Sequence, residues 1–362
     1  MLKDKVKGCL YGGAAGDALG YVIEFMKENE IFSDYGKNGI ESYSLGKNGK
    51  ALISDDTQMT LFTAAGLLAW KAHEGNSARS YVRQAYTDWL ITQMFDYADR
   101  NMIKEHSERI SWLSEEERLY STRYPGNTCL HSLIELNKSK KPIEDYISDV
   151  RNNSKGCGGI MRTAPIALLF EDIEKADTEA AQMSAVTHCH SLGYMPSAVM
   201  AHIIHRIVFS PNGQSLKEIV IDARNAVSEM FRKDENTEYL KNIIDMAIVL
   251  SENGEDDLKN IHKIGGGWVA EETLGIALYC CLKYENDFSK ALIVSVNHGG
   301  DSDSTGAVTG NILGALTGFE KIENKWKENL ELSDVIDRIS EDICGSFEGS
   351  SFWYQNYYKM PK

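Results

Sequence analysis

The feature that most constrains the fold of this chain is a helical spacing of apolar residues that continues with few interruptions. The sequence has only six prolines in 362 residues, and proline disrupts the interior of a helix. Between the prolines, apolar residues recur at intervals of three and four, as in Tyr86, Leu90 and Met94. Such spacing gives an α-helix one apolar face. The sequence therefore predicts an all-α fold with almost no β-strand.

The same periodicity predicts helices in seven further windows. They are 165–170 and onward, 193–209, 216–231, 238–250, 271–284, 288–296 and 306–316. The clearest irregular stretch, 31–54, contains two Lys-Asn-Gly turns. We expect it to cross the surface as a loop, with a short strand at 41–45.

The organisation of the chain favours one domain, 1–362. The sequence shows no repeat of fixed period, and no Pro/Gly/Ser linker divides it. Residues 97–155 are polar and rich in charge, so we expect an elaboration on that domain. The tail 345–362 carries six aromatic residues between Phe347 and Tyr358. Because aromatic side chains favour burial, we expect the tail to pack on the body or on a second chain.

Charge and composition exclude several classes of protein. The 38 Lys and Arg against 53 Asp and Glu give a net charge of −15 at pH 7, which disfavours nucleic acid as the main partner. No apolar run reaches the roughly 18 residues that cross a bilayer, and the N-terminus lacks the apolar core of a signal peptide. The seven cysteines are odd in number and lack CxxC spacing, so we expect reduced thiols and a cytoplasmic location.

Two acidic clusters lie far apart in the sequence, and each precedes an apolar helical segment. They are Ser54-Asp55-Asp56-Thr57 and Asp301-Ser302-Asp303-Ser304. Either cluster alone is more typical of a helix cap, since Ser and Asp accept hydrogen bonds from the first turn of a helix. Four aspartates in two such turns are together more typical of a site for Mg²⁺ or Mn²⁺, which bind oxygen ligands. We therefore predict that the two turns form one divalent metal site.

The residues that follow or precede the two acidic clusters limit which metal site and which packing they can form. The second cluster resembles the opening of a calcium loop, but the twelfth position would be Ile312 instead of glutamate, so we reject a calcium loop. Five glycines within 8–20 suit close packing against another helix. The run of small apolar residues after Gly306 suits such packing too. Glu24, which follows the first of these segments, is either exposed at a helix end or a partner of the metal.

The chain contains several short motifs that are each weak evidence for a family, but their order along the chain is specific. The acidic motifs are Gly16-Asp-Ala-Leu-Gly20 with Glu24, Ser54-Asp-Asp-Thr57 and Gly299-Gly-Asp-Ser-Asp-Ser304. Between them lie Arg123-Tyr-Pro-Gly-Asn-Thr128, Gly156-Cys-Gly-Gly-Ile-Met-Arg162, Thr187-His-Cys-His190 and Gly267-Trp-Val-Ala-Glu-Glu272. In this order they resemble the ADP-ribosylglycohydrolase family over nearly the whole chain.

The resemblance implies a compact, single-domain all-α bundle with a binuclear Mg²⁺ or Mn²⁺ cleft, which agrees with the helical periodicity. By matching positions, one ion would be held by Ser54, Asp55, Asp56 and Asp303, and the other by Asp301, Asp303 and Ser304. Glu24 would approach the same pair and, with Asp301, is a candidate for moving protons. Where many members carry threonine, this chain has Ser54 and Ser304, which keep the hydroxyl ligand.

The resemblance also implies a set of substrate-binding residues. They are Gly156, Cys157, Gly158, Gly159, Met161, His188, Tyr194 and Trp268. The 156–159 turn is short of side chains and suits a pyrophosphate, although composition alone favours a helix-breaking turn. Cys157, where many relatives carry asparagine, is not expected to be a nucleophile. We favour a structural role for His190, reject a zinc site, and place Trp268 at the cleft edge in preference to the core.

The activity implied by the resemblance is metal-dependent hydrolysis of the glycosidic bond between ADP-ribose and a modified target, with two cations that orient the ribose and activate water. The partner would be ADP-ribose or an ADP-ribosylated macromolecule, above all a protein. A silent ADP-ribose-binding or structural relative and a two-metal nucleotide phosphohydrolase are the alternatives, and the four retained aspartates argue against the silent relative. Tyr124 replaces an aspartate of arginine-specific relatives, which leaves arginine, serine, nucleic-acid and small-molecule linkages open.

Overall fold

The fold of the protein is all-α, which confirms the predicted class. The computed structural model describes residues 1–74, 77–139, 143–210, 213–345 and 351–360. These residues form sixteen α-helices joined by loops and short 3₁₀ turns, and contain only isolated β-bridges. In chain order the helices are α1 (Leu2–Gly20), α2 (Glu28–Tyr35), α3 (Asp55–Ala72), α4 (Ala78–Met94), α5 (Asn127–Lys138), α6 (Ala164–Leu169), α7 (Ile173–Ala185), α8 (Ser191–Phe209), α9 (Leu216–Met230), α10 (Thr237–Ser251), α11 (Asp257–Ile264), α12 (Ala270–Lys283), α13 (Phe288–Val296), α14 (Ser302–Thr317), α15 (Ser333–Ile343) and α16 (Ser351–Asn356).

Helices with a strong apolar period were predicted correctly. The windows 193–209, 216–231, 238–250, 271–284, 288–296 and 306–316 correspond to α8, α9, α10, α12, α13 and α14. The 165–170 window continues only as far as Leu169, and a new helix starts at Ile173. The windows agree because each of these helices buries an apolar face in the core.

The stretch 31–54 differs from its prediction in two ways. Its first residues belong to α2, which begins before the stretch and is stabilised by a hydrogen bond from the Lys27 N–H to Glu30 Oε2 at 2.7 Å. Residues 41–45 form no strand, because no other strand lies beside them. The two Lys-Asn-Gly turns are confirmed, since Gly39 and Gly49 both have φ of 72°.

The central feature of the fold is the contact between α1 and α14. A Cβ atom at Gly12 would overlap the carbonyl oxygen of Gly310, and one at Gly310 would overlap that of Gly12. The two backbones therefore touch, which confirms the close packing predicted from the glycines. Gly20 at the end of α1 contacts the backbone of Ser302 at the start of α14. This antiparallel pairing brings the segment after α1 to the acidic turn before α14.

Residues 97–139 wrap around α4 as 3₁₀ turns followed by α5. The Ile110 N–H donates to the Asp88 carboxylate of α4 at 3.0 Å, which fastens the wrapped segment to that helix. In the C-terminal tail Trp353 and Tyr357 are buried, and the Tyr358 N–H donates to the Ile110 carbonyl at 2.8 Å. The tail therefore packs on the wrapped segment of the same chain. Phe347 lies outside the described residues.

Two further predictions concern the oxidation state of the cysteines and the absence of a membrane-spanning segment. All seven cysteines are free in the structure, which agrees with reduced thiols. Among the described residues, no helix combines the length and the apolar character that a membrane span requires.

Candidate functional site

The two acidic turns meet in one cavity, although they come from opposite ends of the chain. The cavity has a volume of about 220 Å³. Its acidic wall consists of Glu24, Asp55, Asp56, Asp301, Asp303 and Ser304. No lysine or arginine is among the described residues that line it. The structure therefore brings the predicted acidic residues together at a point where their charges have no basic partner.

Helix caps place both turns. The Ser54 hydroxyl accepts a hydrogen bond from the Asp56 N–H at 3.1 Å, and Asp301 Oδ1 accepts one from the Ser304 N–H at 3.3 Å. Both residues are thus N-caps, of α3 and α14, as the capping interpretation expected. Capping does not account for Asp55, Asp56 and Asp303, which are buried beside the caps. These additional carboxylates call for a positive ligand.

Asp17 holds one of the acidic turns in place without lining the cavity. The sequence analysis did not predict it as a site residue. Its carboxylate is fully buried in α1. It accepts hydrogen bonds from the N–H groups of Ser54 at 2.9 Å and Thr57 at 3.1 Å, and from the Thr57 hydroxyl. Asp17 therefore fixes the first turn of α3 against α1. An aspartate among glycines and alanines was the available signal, because a buried charge in such a helix needs partners.

The carboxyl groups of the wall have raised pKa values. Burial raises the pKa of Glu24 to about 10 and that of Asp17 to about 7, and the charge of Asp303 adds to both shifts. Burial and Asp303 likewise raise the pKa of Asp55 and Asp56. Buried carboxylates that repel one another cannot all ionise unless a cation compensates them.

The donor atoms fit a hard divalent cation. Asp56 Oδ2 and Glu24 Oε2 are buried without a hydrogen-bond partner, and both are oxygen atoms of the kind that Mg²⁺ and Mn²⁺ bind. Within the described residues, no group of three or more His, Cys, Asp or Glu side chains has the arrangement that would hold a metal ion. The agreement of these residues with a divalent cation therefore rests on the chemistry of the donor atoms, their burial and their charge. A site of this kind suits Mg²⁺, which commonly keeps several waters.

The opposite wall is formed by the 156–158 turn, Met161 and His188. A Cβ atom at Gly158 would lie 2.8 Å from the His188 ring, so the turn can pass the ring only without a side chain. Arg162, which is buried, donates to the Thr187 hydroxyl at 2.7 Å. Arg162 is thus an internal structural arginine, which was one of the two roles considered for it.

The ring of His188 is held as a neutral hydrogen-bond donor. Its Nδ1 lies 2.8 Å from the Thr187 hydroxyl, which already accepts from Arg162. We assign the hydroxyl proton to the contact with Nδ1, and the ring proton to Nε2. Burial lowers the pKa of His188 to about 3, so the ring stays uncharged at neutral pH. Nε2 lies on the side of the 156–158 turn.

Cys157 faces the acidic wall. Its Sγ lies 2.8 Å from Asp301 Oδ2, and the thiol donates in this pair. Burial and the charge of Asp301 raise the pKa of Cys157 well above its usual value. A thiol in these surroundings is a poor nucleophile, because the thiolate is the reactive form.

Two of the predicted substrate-binding residues, Gly159 and Tyr194, do not line the cavity. A Cβ atom at Gly159 would lie 2.9 Å from the Gly193 carbonyl oxygen, so Gly159 packs against α8 behind the wall. Tyr194 is buried and packs against Phe231, with 5.7 Å between ring centroids. His190 caps α8, since its Nδ1 accepts from the Leu192 N–H at 3.0 Å.

The mouth of the cavity carries three exposed aromatic rings, Phe25, Tyr124 and Trp268, which we call the aromatic rim. Their exposed fractions are 63%, 64% and 46%. The Phe25 ring stacks on Trp268 at 6.1 Å and meets Tyr124 edge to face at 5.4 Å. Trp268 thus lies at the cavity edge. Tyr124 comes from the 97–155 segment, and sequence reasoning noted it only for the aspartate that it replaces.

Fold and site together define an all-α protein with an acidic ligand cleft between two helix N-termini. Comparison with known proteins identifies the family: residues 1–351 match the model of the ADP-ribosylglycohydrolase family. The chain belongs to this family of hydrolases.

Individual relatives match over most of the chain. The mouse protein named ADP-ribosylhydrolase ARH3 is 24% identical over 96% of this chain and 93% of its own length. The ADP-ribosyl-[dinitrogen reductase] glycohydrolase of Rhodospirillum rubrum is 24% identical, with 91% of each chain covered. A solved structure titled ADP-ribosylglycohydrolase-related protein complex shares the fold, with a TM-score of 0.64, 21% identity, and coverage of 94% of this chain and 97% of that one.

Proposed function

We propose that this protein uses two divalent cations to hydrolyse the bond between ADP-ribose and a modified target. The observation that carries the proposal is that both acidic turns, the 156–158 turn and His188 face one cavity. The family shows that the chain is a glycohydrolase. The metal dependence and the residue roles are our additions, and they are supported by the buried carboxylates without basic partners.

The proposed ligand sets follow from the two turns. Ser54, Asp55, Asp56 and Asp303 would hold one ion, and Asp301, Asp303 and Ser304 the other. Bound there, the cations would supply Lewis-acid chemistry, orienting the ribose hydroxyls and easing the loss of a proton from water. Support for a shared ligand comes from Asp303, whose charge raises the pKa of residues in both turns.

The chain's own groups would bind the substrate and move protons. The Nε2–H of His188 would donate to a pyrophosphate oxygen beside the 156–158 turn. In hydrolysis the bond from the anomeric carbon to the target breaks, a hydroxyl from water joins the ribose, and the remaining proton goes to the leaving atom. We assign Glu24 and Asp301, which both line the cavity, as the carboxyl groups that carry that proton.

The substrate class is proposed from the relatives. Two of them are named for ADP-ribosyl bonds on proteins, the Rhodospirillum rubrum enzyme above and an ADP-ribosylarginine hydrolase of Serratia proteamaculans that is 23% identical over 94% of this chain. We propose that this protein likewise acts on an ADP-ribosylated protein. The net charge of −15 makes a nucleic acid a poor partner except as the modified substrate itself.

Product analysis tests the proposal. Purified protein is incubated with arginine-, serine- and nucleic-acid-linked ADP-ribose conjugates, with EDTA and after addition of Mg²⁺ or Mn²⁺, and the products are identified by mass spectrometry. We expect free ADP-ribose from at least one conjugate and only when the metal is present. Release of AMP and ribose phosphate would instead show a nucleotide phosphohydrolase, and an unchanged ligand that binds would show a silent relative.

A further inference from the structure

The motif Gly267-Trp-Val-Ala-Glu-Glu272 contributes little to the cavity itself. The structure describes all of its residues, and among them only Trp268 lines the cavity. Its first residues belong to the loop 265–269 between α11 and α12, and its last residues belong to the first turn of α12. We call 265–269 the bridging loop, because it contacts both walls of the cavity.

The bridging loop lies directly against the acidic turn that begins α14. The Asp301 N–H donates to the Gly266 carbonyl at 2.9 Å. A Cβ atom at Gly300 would overlap the same carbonyl oxygen. One at Gly267 would lie 2.7 Å from Thr305 Cγ2. Because neither glycine leaves room for a side chain, the loop and the turn touch through their backbones, and the position of the loop determines where Asp301 lies.

The other end of the bridging loop contacts the opposite wall. Val269 forms an antiparallel bridge with Gly156. The Ala270 N–H donates to the Lys155 carbonyl at 2.9 Å, and the Lys155 ammonium pairs with Glu271, which is fully buried. Ala270 and Glu271 belong to α12, so the helix itself holds this wall.

Glu272 holds the end of the loop that touches Asp301. Its Oε2 accepts hydrogen bonds from the N–H groups of Gly266 at 2.9 Å and Gly267 at 3.1 Å. Hydrogen bonds of this kind, from backbone N–H groups to a carboxylate, are among the stronger ones in proteins. The Thr273 hydroxyl adds a contact to the Gly267 carbonyl at 2.6 Å. Two side chains of the first turn of α12 therefore fix one conformation of the loop.

A single peptide group joins Glu272 to Asp301. The peptide group between Gly266 and Gly267 donates its N–H to Glu272 and accepts from the Asp301 N–H through its carbonyl. A peptide group is planar and rigid, with its N–H and its carbonyl on opposite sides. A change in the contact to Glu272 therefore moves the atom that holds Asp301.

We propose that Glu272 is a positioning residue for the reaction, which sets the position of Asp301 relative to the 156–158 turn through the bridging loop. A displacement of about 1 Å at a reacting group can lower the rate about a hundredfold. This inference rests on the proposed function, in which Asp301 takes part in breaking the bond. It adds a residue that acts on Asp301 from outside the cavity.

Kinetics and hydrogen exchange test the proposal together. For Glu272→Ala we expect kcat of ADP-ribose release to fall roughly ten- to hundredfold, under the conditions in which the wild-type protein is most active. KM and the dissociation constant of free ADP-ribose should change less than about threefold, because α12 still holds the 156–158 turn. Hydrogen exchange of the amides at 266–267 and Asp301 should become faster, and that of the Ala270 amide should not change.

Three further variants complete the test. Glu272→Gln keeps an oxygen that accepts from both N–H groups, so its kcat should stay within about threefold of wild type. Glu218→Ala removes a comparable contact, from the Ser215 N–H to the Glu218 carboxylate at 2.8 Å, at the start of α9. The structure describes all of α9, which supplies no residue to the cavity lining, so kcat of this control should match wild type. Thr273→Val removes the other contact to the loop and should lower kcat roughly three- to tenfold, and it carries the test if Glu272→Ala does not fold.

Three outcomes would overturn the inference. Unchanged kcat in a variant whose loop exchanges faster would show that the loop does not position Asp301 for the reaction. A parallel loss of ADP-ribose affinity would show that Glu272 acts on ligand binding. An equal loss of kcat in Glu272→Gln would show that the charge of Glu272, and not its hydrogen bonds to the loop, is required. A wild-type protein that releases ADP-ribose from no conjugate would refute the proposed function, and this inference with it, before any variant is measured.

Discussion

At the scale of single residues, the acidic site depends on a carboxylate that does not line the cavity. Asp17 holds the backbone of Ser54 and Thr57, so the first turn of α3 is fixed before any ligand binds. The sequence pattern predicted Asp55, Asp56, Asp301 and Asp303 correctly as a group that meets, because four acids in two helix starts repel one another without a cation. The signal for Asp17 was weaker, a single aspartate among glycines and alanines, because its partners are two backbone N–H groups and the Thr57 hydroxyl.

Replacing Asp303 tests the shared-ligand proposal most directly. Asp303 belongs to the acidic turn at the start of α14, and in the proposed ligand sets its loss would remove a ligand from both ions. We expect Asp303→Ala to lower Mg²⁺ affinity and to reduce turnover by at least about a hundredfold. Calorimetry with Mg²⁺ and the ADP-ribose release assay measure the two effects. Asp34→Ala removes an exposed carboxylate of α2 as a control, and near-normal activity of the Asp303 variant would show that the site is misplaced.

Cys157 tests whether thiol chemistry contributes. Its thiol donates to Asp301 Oδ2, and its raised pKa keeps it protonated. We therefore expect Cys157→Ala to change kcat by less than about tenfold, through the loss of one hydrogen bond worth about 1 kcal/mol. Cys157→Ser retains the donor and should lie closer to the wild-type rate. Complete loss of turnover in both variants, with an unchanged circular dichroism spectrum, would instead indicate a covalent role.

At the scale of helices, sequence periodicity found the elements that bury an apolar face and missed those that do not. α8 and α13 were predicted with nearly their observed bounds. α2 was missed because only Ile31 of its eight residues is buried, and its N-terminus is marked only by the hydrogen bond from the Lys27 N–H to the Glu30 side chain. The 97–155 segment was predicted to be an elaboration from its charge alone. Its contribution of Tyr124 to the cavity depends on tertiary contacts that no local pattern contains.

The packing of α1 on α14 gives a prediction about the glycines. A Cβ atom at Gly12 would overlap the carbonyl of Gly310, so the helices would have to separate. We expect Gly12→Ala to lower the free energy of unfolding by about 1–3 kcal/mol despite alanine's better helix propensity, and to weaken Mg²⁺ binding. Urea denaturation and calorimetry measure both. At Gly254 a Cβ meets no atom, so Gly254→Ala should stay within about 0.5 kcal/mol.

The contact between α4 and the wrapped segment gives a pH-dependent prediction. Burial raises the pKa of Asp88 to about 7, above an unfolded value near 4. As the pH rises from about 4 to 7, the unfolded chain loses this proton first, so the stability contributed by protonated Asp88 declines. We expect the unfolding free energy of wild type minus that of Asp88→Asn to fall by roughly 2 kcal/mol between pH 5 and pH 7.5.

Urea denaturation at the two pH values measures this difference. Asp96→Asn changes an exposed carboxylate just beyond the same helix and serves as the control, for which the difference should not vary with pH. A constant difference for Asp88→Asn as well would mean that Asp88 is ionised throughout the range.

At the scale of the whole molecule, the cavity joins distant parts of the chain. The N-terminus of α3 and that of α14 supply its acidic wall, and α5, the 156–158 turn and the loop with Trp268 supply the rest. The four aspartates predicted that the two acidic turns meet. The sequence placed the other segments in the same site only through the family resemblance, because periodicity and composition describe neighbours along the chain. The packing of α1 on α14 brings the segments together, because it fixes where each segment ends.

A cation bound by both acidic turns would protect the backbone amides of both turns from hydrogen exchange. If Mg²⁺ is held by both turns, it should stabilise the fold by about 2.7 kcal/mol at a hundred times its dissociation constant. Hydrogen exchange should slow together around 54–57 and 301–305, relative to the protein in EDTA. NaCl at the same ionic strength is the necessary control, because any salt screens a net charge of −15. Protection of only one turn, or equal stabilisation by NaCl, would show that the two turns do not share an ion.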